Sequence, residues 1–195
     1  SEADLVIETV VEDLAAKSAV LAGLADAGCG EAPAATNTSA LRVADVGAEW
    51  PRPARFAGLH FMNPVPEARL AEVVRTDTTA PETVDALTSF CKALELQSVV
   101  LADAPGFLVN RLLMPYLNEA VIMAEEGHDY TRIDEVVAEF GMPMGPFTLL
   151  DEIGIDVAHE VARVLRDAYG DRMETGAIFD EVAGQSDLLG KKSGK

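Results

Sequence analysis

Cysteine and histidine are scarce in this chain of 195 residues, which contains two cysteines and three histidines. Two cysteines do not make a disulfide framework, and the sequence has no CxxC or HExxH pattern of the kind that binds metals. We therefore expect no metal site, and a reducing cytoplasm is the expected environment. Cys91 falls on the same helical face as Val84 and Leu87, so we expect it in the core and not as a nucleophile.

Long apolar runs and basic residues are also lacking. Apolar stretches such as VVLA (99–102) and LLMPYL (112–117) are far shorter than the roughly 20 residues that span a bilayer, and no basic-then-apolar signal pattern opens the chain. A membrane or secretory role is therefore not indicated. Lys and Arg number 15 against 33 Asp and Glu, and the net charge of −18 argues against a nucleic-acid binder. We interpret this acidity as a solvated surface.

The first half of the chain alternates short apolar runs with helical patterns. With 49% hydrophobic residues there is ample material for a core. The alternation predicts a parallel α/β sheet. The expected strands are ADLVIE (3–8), PAATNTS (33–39), RFAGLHFMNP (55–64), LAEVVRTD (70–77) and QSVVLAD (97–103), and the expected helices are DLAAKSAVLAGLADAG (13–28) and the segment after Pro81.

Polar residues stand where several of these strands end. The carboxyl ends of strands carry the ligand crevice in open parallel sheets. We therefore expect one cleft to be faced by Glu8, Asn37, Thr38, Ser39 and His60. The glycine-rich loop that usually opens such a fold is not found, because GCGEAPA (28–34) lacks the third glycine and GKKSGK (190–195) lacks the spacing. The chain is accordingly expected to be the later part of a longer protein.

From Pro105 onward the pattern is helical, with glycine and proline as punctuation. Pro105 suits the first turn of a helix and Gly127 suits its end, and Pro115 is expected to kink the helix unless packing compensates. The sequence thus predicts two domains, an α/β domain at 1–103 and an all-α domain at 104–195. The helical segments are 105–127, 131–141, 146–170 and 177–184.

Four motifs, in order along the chain, resemble the signatures of the L-3-hydroxyacyl-CoA dehydrogenase family. They are ATNTSALRV (35–43), GLHFMNPVPEARLAEVV (58–74), DAPGFLVNRLLMPYLNEAV (103–121) and MPMGPFTLLDEIGIDV (142–157). The end of the chain, RMETGAIFDEVAGQSDLLGKKSGK (172–195), is similar to the dehydrogenase module of multifunctional fatty-acid oxidation proteins of the alpha-subunit type, which also carry an enoyl-CoA hydratase module.

The resemblance implies the later part of a Rossmann-type NAD-binding domain followed by a helical domain. It also implies oxidation of an L-3-hydroxyacyl-CoA by NAD in fatty-acid β-oxidation. The family's first strand, its glycine-rich loop and the acid that binds the adenosine ribose would precede Ser1, so the isolated chain is expected to be inactive. The implied partners are an acyl-CoA substrate and, through the helical domain, a second copy or other β-oxidation modules.

The resemblance also assigns catalytic residues. By motif position His60 is the base that removes the proton of the 3-hydroxyl, and Glu72 is the carboxylate that orients it. Ser39 and Asn110 match positions that hydrogen-bond the substrate's 3-oxygen and the histidine. Two structural alternatives stay open: Ser39 could cap a helix at SALRVADV, and Asn110 could be a polar residue inside a helix.

The resemblance assigns cofactor binding to four residues, Glu12, Lys17, Asn37 and Ser39, of which Glu12, Lys17 and Ser39 match the nicotinamide half of NAD. Without the family, Glu12 and Lys17 are an acid at a helix start and an exposed lysine. His128 and His159 are expected to be surface or helix residues.

Two other functions are alternatives. The first is a noncatalytic binding or structural protein that kept the fold, but the set of His60, Glu72, Ser39 and Asn110 argues against it for the parent protein. The second is a different hydroxyacid dehydrogenase, which would be expected to use a lysine base and other motifs that the sequence does not show.

Overall fold

The computed structural model describes residues 3–63, 65–185 and 188–191. The chain divides into two compact units, Ser1–Leu108 and Val109–Lys195. All the strands of the described chain lie in the first unit, and the second is helical. Of the segment GKKSGK, residues 192–195 lie outside the described residues. No helix among the described residues is long and apolar enough to cross a membrane.

The first unit is built on a five-stranded sheet in which the strands follow chain order. Its strands are Val6–Glu8 (β1), Ala34–Thr36 (β2), Phe56–Phe61 (β3), Leu70–Arg75 (β4) and Gln97–Ala102 (β5). Strands β1, β2 and β3 are parallel, as are β4 and β5, whereas β3 and β4 are antiparallel. The expected α/β sheet is therefore present, but it contains one antiparallel pair. The connection at 62–69 is shorter than the dozen or more residues that a parallel crossover needs.

Helices cover both faces of this sheet. They are Leu14–Leu24 (α1), Val43–Val46 (α2) and Pro81–Ala93 (α3). Successive strand residues point to opposite faces. Accordingly Ala34 and Phe56 pack in one core cluster with residues of α1 and α2, whereas Ala35 and Ala57 pack in another with residues of α3. Cys91 belongs to the second cluster and is fully buried, as expected.

Besides a short 3₁₀ helix at Gly170–Met173, the second unit contains five α-helices in its described part. They are Val109–Glu125 (α4), Tyr130–Phe140 (α5), Pro146–Ile153 (α6), Ile155–Tyr169 (α7) and Ala177–Ala183 (α8). Pro115 lies inside α4, and Gly127, with φ of 96°, follows its end. The expected helix start at Pro105 is wrong. Gly106 and Phe107 have φ of 70° and 47°, which no α-helix accommodates, so α4 begins at Val109.

Candidate active site

The carboxyl ends of the three parallel strands are tied together by the polar residues that follow them. Glu8 ends β1, and its carbonyl oxygen accepts a hydrogen bond from the Asn37 backbone N–H at 2.8 Å. Asn37, just past β2, in turn accepts a bond from the Phe61 N–H on its side-chain oxygen at 2.9 Å. The structure therefore brings Glu8, Asn37 and the end of β3 together at the carboxyl end of the parallel strands. The expectation that Glu8 and Thr38 face an open cleft is wrong, because they are only 2% and 0% exposed.

His60 and Glu72 form a hydrogen-bonded pair across the antiparallel strands β3 and β4. They are register partners, so their side chains lie on the same face. Nδ1 of His60 is 2.7 Å from Oε2 of Glu72. The Glu72 side chain is fully buried, and that of His60 is 8% exposed. The expected contact between His60 and Glu72 is confirmed. The two residues are twelve positions apart in the sequence because the connection between β3 and β4 lies between them.

The contact with Glu72 fixes which nitrogen of His60 carries the proton. A carboxylate only accepts hydrogen bonds, so Nδ1 of the neutral ring is the donor and Nε2 holds the lone pair. Within the described chain Nε2 has no hydrogen-bond partner. The pair can therefore accept a proton at Nε2, and the Glu72 carboxylate stabilises the cation that results.

The other oxygen of Glu72 is bound by the chain that leaves the sheet after β5. The backbone N–H of Leu108 donates to Oε1 at 2.9 Å. The ring of Phe107 lies against the imidazole of His60, with 5.7 Å between the ring centroids. The hydrogen bonds from Leu108 and from His60 offset the cost of burying the Glu72 carboxylate, which is large when such a group lacks donors.

Ser39 lies in a turn held by the carboxylate of Glu12. Oε1 of Glu12 accepts hydrogen bonds from the Thr38 hydroxyl at 2.5 Å and from the N–H groups of Ser39 and Ala40 at 2.8 and 3.0 Å. The alternative in which Ser39 caps a helix is wrong, since α2 starts only at Val43.

Lys17 is buried, so the interpretation as an exposed lysine is wrong. Its side chain is 1% exposed. Its ammonium group bonds Oε1 of Glu8 at 3.1 Å and the Val10 carbonyl at 2.9 Å, and Oε2 of Glu12 lies 3.3 Å away. An ammonium has three N–H donors, so these contacts occupy it. Lys17 therefore holds Glu8 and Glu12 in place. Glu12 precedes the cap of α1, which is Asp13.

Three further residues named from the sequence, Asn110, His128 and His159, belong to the helical unit. Asn110 is the second residue of α4 in the helical unit, where it is buried; its role stays a prediction. His128 is exposed. His159 is partly exposed and lies 2.7 Å from an oxygen of Asp180.

The sequence does not predict the contacts of two residues of the site, Glu8 and Phe107. Glu8 was expected only to face the cleft, whereas it is the buried partner of Lys17 and accepts a bond from the Thr36 hydroxyl at 2.7 Å. Its position at the end of an apolar strand was the available signal. Phe107 lies in the motif PGFLVNR, but nothing in the sequence shows that its backbone is left-handed.

Comparison with known proteins agrees with this architecture. Residues 1–104 match the family model of the 3-hydroxyacyl-CoA dehydrogenase NAD binding domain, and residues 106–195 match that of the C-terminal domain. An NAD-binding α/β unit followed by a helical unit defines a dehydrogenase of the Rossmann type. The chain belongs to the 3-hydroxyacyl-CoA dehydrogenase family, and the expected fold class and the NAD-binding domain are confirmed.

Relatives of known structure and curated relatives cover the whole chain. FadB2 of M. tuberculosis is 37% identical, with a TM-score of 0.93 over 100% of this chain and 70% of its own. The 3-hydroxybutyryl-CoA dehydrogenase of Escherichia coli K12 is 38% identical, with a TM-score of 0.89 over 99% and 42%. The fatty acid oxidation complex subunit alpha of Shewanella frigidimarina is 39% identical over 100% of this chain, which spans 27% of that relative.

Proposed function

We propose that the protein oxidises L-3-hydroxyacyl-CoA to 3-ketoacyl-CoA with NAD, as a step of fatty-acid β-oxidation. The observation that carries the proposal is the His60–Glu72 pair, with Nδ1 and Oε2 2.7 Å apart and with Nε2 unpartnered within the described chain. Oxidation of a secondary alcohol requires the hydroxyl proton to be removed while C3 becomes a carbonyl. A buried imidazole with an oriented lone pair suits that task.

His60 acts as the base in this proposal. Its Nε2 takes the proton of the 3-hydroxyl, and the charge that forms on the ring is balanced by Glu72. Because Glu72 is fully buried and bound on both oxygens, it cannot turn away from the ring without losing hydrogen bonds. The pair is therefore held for proton transfer before substrate arrives.

Ser39 and Asn110 are proposed to bind the 3-oxygen of the substrate and the catalytic histidine. The assignment of Ser39 is supported by the turn in which it lies. Glu12 holds that turn by accepting hydrogen bonds from the backbone N–H groups of Ser39 and Ala40. The assignment of Asn110 rests on the motif NR within PGFLVNR. Charge develops on the 3-oxygen during the reaction, and fixed donors stabilise it.

The polar groups at the edge of the sheet fit the nicotinamide half of NAD. Its carboxamide has an NH₂ group and a carbonyl oxygen. Glu12, whose side chain is 28% exposed, offers carboxylate oxygens, and the partly exposed Asn37 offers its NH₂ group, since its oxygen is bonded to Phe61. When bound, NAD would accept the hydride that leaves C3, that is, the C3 hydrogen with its two bonding electrons. We assign Glu12, Asn37 and Ser39 to its surroundings, and Lys17 to the support of Glu12.

The names of the relatives support a wider setting. The similar Shewanella protein is an alpha subunit of a fatty acid oxidation complex. We propose that this chain serves as the dehydrogenase module of such a multifunctional protein in the cytoplasm. Its helical domain would then pair with a second copy or with other β-oxidation modules.

A stereospecific assay tests the activity. The natural protein that carries these residues is supplied with NAD and either L- or D-3-hydroxybutyryl-CoA, and NADH formation is followed by absorbance. We expect NADH only with the L isomer. Longer L-3-hydroxyacyl-CoA substrates are then compared. A protein that binds the acyl-CoA without forming NADH from any of them has kept the fold as a binding module, and the proposed activity is then wrong.

A further inference from the structure

We propose that Phe107 is a positioning residue that connects the His60–Glu72 pair to the turn that carries Ser39. The structural part of this proposal stands on contacts within the first unit. Its effect on turnover rests on the function proposed above. Residues 104–108, named here the Phe107 turn, follow β5 and precede α4.

The backbone of the Phe107 turn is in an unfavourable conformation. Gly106 has φ of 70°, which glycine adopts freely, but Phe107 has φ of 47°. A residue with a side chain rarely adopts such angles because its Cβ approaches the following carbonyl oxygen. Strained residues of this kind persist where the surrounding structure holds them, and they concentrate at functional sites.

The left-handed conformation directs two backbone N–H groups at the site. The N–H of Gly106 donates to the carbonyl of Ala40 at 3.1 Å, next to Ser39. The N–H of Leu108 donates to Oε1 of Glu72 at 2.9 Å. A regular helix started at Pro105 would direct these donors along its own axis. The two left-handed residues thus let one short turn bind both parts of the site.

The ring of Phe107 fixes the Phe107 turn to the core of the first unit. Phe107 is 2% exposed and packs in the core cluster that includes Val43, Val46 and Val74. The same ring contacts the imidazole of His60, with an angle of 57° between the two planes. A glycine would adopt the backbone angles without strain but would lose the anchor and the contact with His60. The ring therefore holds the turn in the conformation that its backbone disfavours.

Substitution of Phe107 tests this role against that of an ordinary core residue. Phe107→Leu keeps an apolar side chain but loses the ring, and Phe107→Tyr restores the ring. The matched control is Phe56→Leu, since Phe56 is also 2% exposed and lies in the same cluster. The first readout is the ¹⁵N signals of the His60 ring in the 195-residue chain, which report which nitrogen carries the proton.

We expect His60 to be protonated on Nδ1 in the wild-type chain, in Phe107→Tyr and in Phe56→Leu. Phe107→Leu is expected to show a mixture of the two tautomers. In the natural protein, kcat of Phe107→Leu should fall about 10- to 100-fold, by analogy with the loss found when a group that orients a metal-binding histidine is removed. Phe107→Tyr should recover most of it.

The proposal is overturned if Phe107→Leu and Phe56→Leu give the same His60 signals. It is also overturned if Phe107→Tyr shows the signals of Phe107→Leu. If Phe107→Leu does not fold, Phe107→Met takes its place, and its His60 ring signals are compared with those of Phe107→Tyr. Equal signals in these two variants would overturn the proposal. These readouts do not need turnover. If the wild-type protein has no dehydrogenase activity, the proposed function is wrong. The NMR signals of His60 still decide whether Phe107 positions the histidine.

Discussion

His60 and Glu72 are directly opposed residues of two antiparallel strands, and the register of those strands is what joins the candidate base to its carboxylate. Side chains alternate faces along a strand, so a slip of one residue would turn Glu72 to the other face of the sheet. The short connection between β3 and β4 therefore matters for chemistry as well as for topology. It forces the antiparallel pairing that makes these two residues neighbours.

Glu72→Gln tests whether the carboxylate charge is needed. Glutamine keeps the shape, but its amide cannot balance a charged imidazole and can offer an N–H to Nδ1, which favours the wrong tautomer. We expect kcat for L-3-hydroxyacyl-CoA oxidation to fall on the order of 10²- to 10⁴-fold.

The control for this substitution is Glu67→Gln, which changes an exposed glutamate in the same connecting segment. It should leave kcat unchanged. Equal rates for Glu72→Gln and the wild-type protein would show that the pair is structural only.

Lys17→Met should destabilise the first unit strongly. The change leaves the carboxylate of Glu8 buried without its cation, and removal of one partner of a buried ion pair typically costs about 3–5 kcal/mol. Urea unfolding followed by circular dichroism measures the change in the free energy of unfolding. The double variant Lys17→Met with Glu8→Gln should recover part of the loss, because the uncompensated charge is then gone.

Lys92→Met is the matched control for Lys17→Met, because Lys92 is exposed near the end of α3. Its effect on the free energy of unfolding should stay within about 0.5 kcal/mol. Similar losses for the two lysines would contradict a structural role for the buried ammonium group.

The two thiols should differ in their reaction with an alkylating reagent. Burial raises the pKa of the Cys91 thiol above its ordinary value, so less thiolate forms at a given pH, and the residue is fully buried. Cys29 is partly exposed. We expect mass spectrometry at mildly alkaline pH to show rapid labelling of Cys29 and labelling of Cys91 only on unfolding. Fast labelling of Cys91 in the folded protein would contradict its place in the core.

Asp134 should both cap helix α6 and affect the titration of Tyr116. Its carboxylate accepts from the backbone N–H groups of Phe147 and Thr148 at 2.8 Å each. Asp134→Ala should therefore lower the free energy of unfolding by about 1 kcal/mol.

The same carboxylate affects Tyr116. Burial, and after it the charge of Asp134, raises the pKa of Tyr116. Removal of the charge should lower that pKa, as followed by tyrosinate absorbance; a rise would contradict the assignment.

The sequence predicted the strands and helices well because apolar periodicity records which side chains face the core. It also predicted the His60–Glu72 contact, through a motif that places both residues. It did not predict the direction of β4, because a strand pattern has no polarity. The length of the connection at 62–69 contains that information, since so short a segment cannot form a parallel crossover.

The polar network around Lys17 could not be predicted from its local sequence. A lysine in a helical pattern is usually exposed, and only the tertiary structure shows that Glu8 and Glu12 meet its ammonium group. The start of α4 was misplaced for a related reason. Proline at a first helical turn is a sound local rule, but here the contacts of the Phe107 turn override it.

The most direct test of the central claim is the effect of His60→Ala on turnover and on cofactor binding in the natural protein. His60 is proposed to accept the substrate proton, so its loss should lower the rate of L-3-hydroxyacyl-CoA oxidation about 10²- to 10⁴-fold and leave NADH affinity, measured by fluorescence, unchanged. His128→Ala, at an exposed histidine, should keep the wild-type rate. A near-normal oxidation rate in His60→Ala would contradict the account.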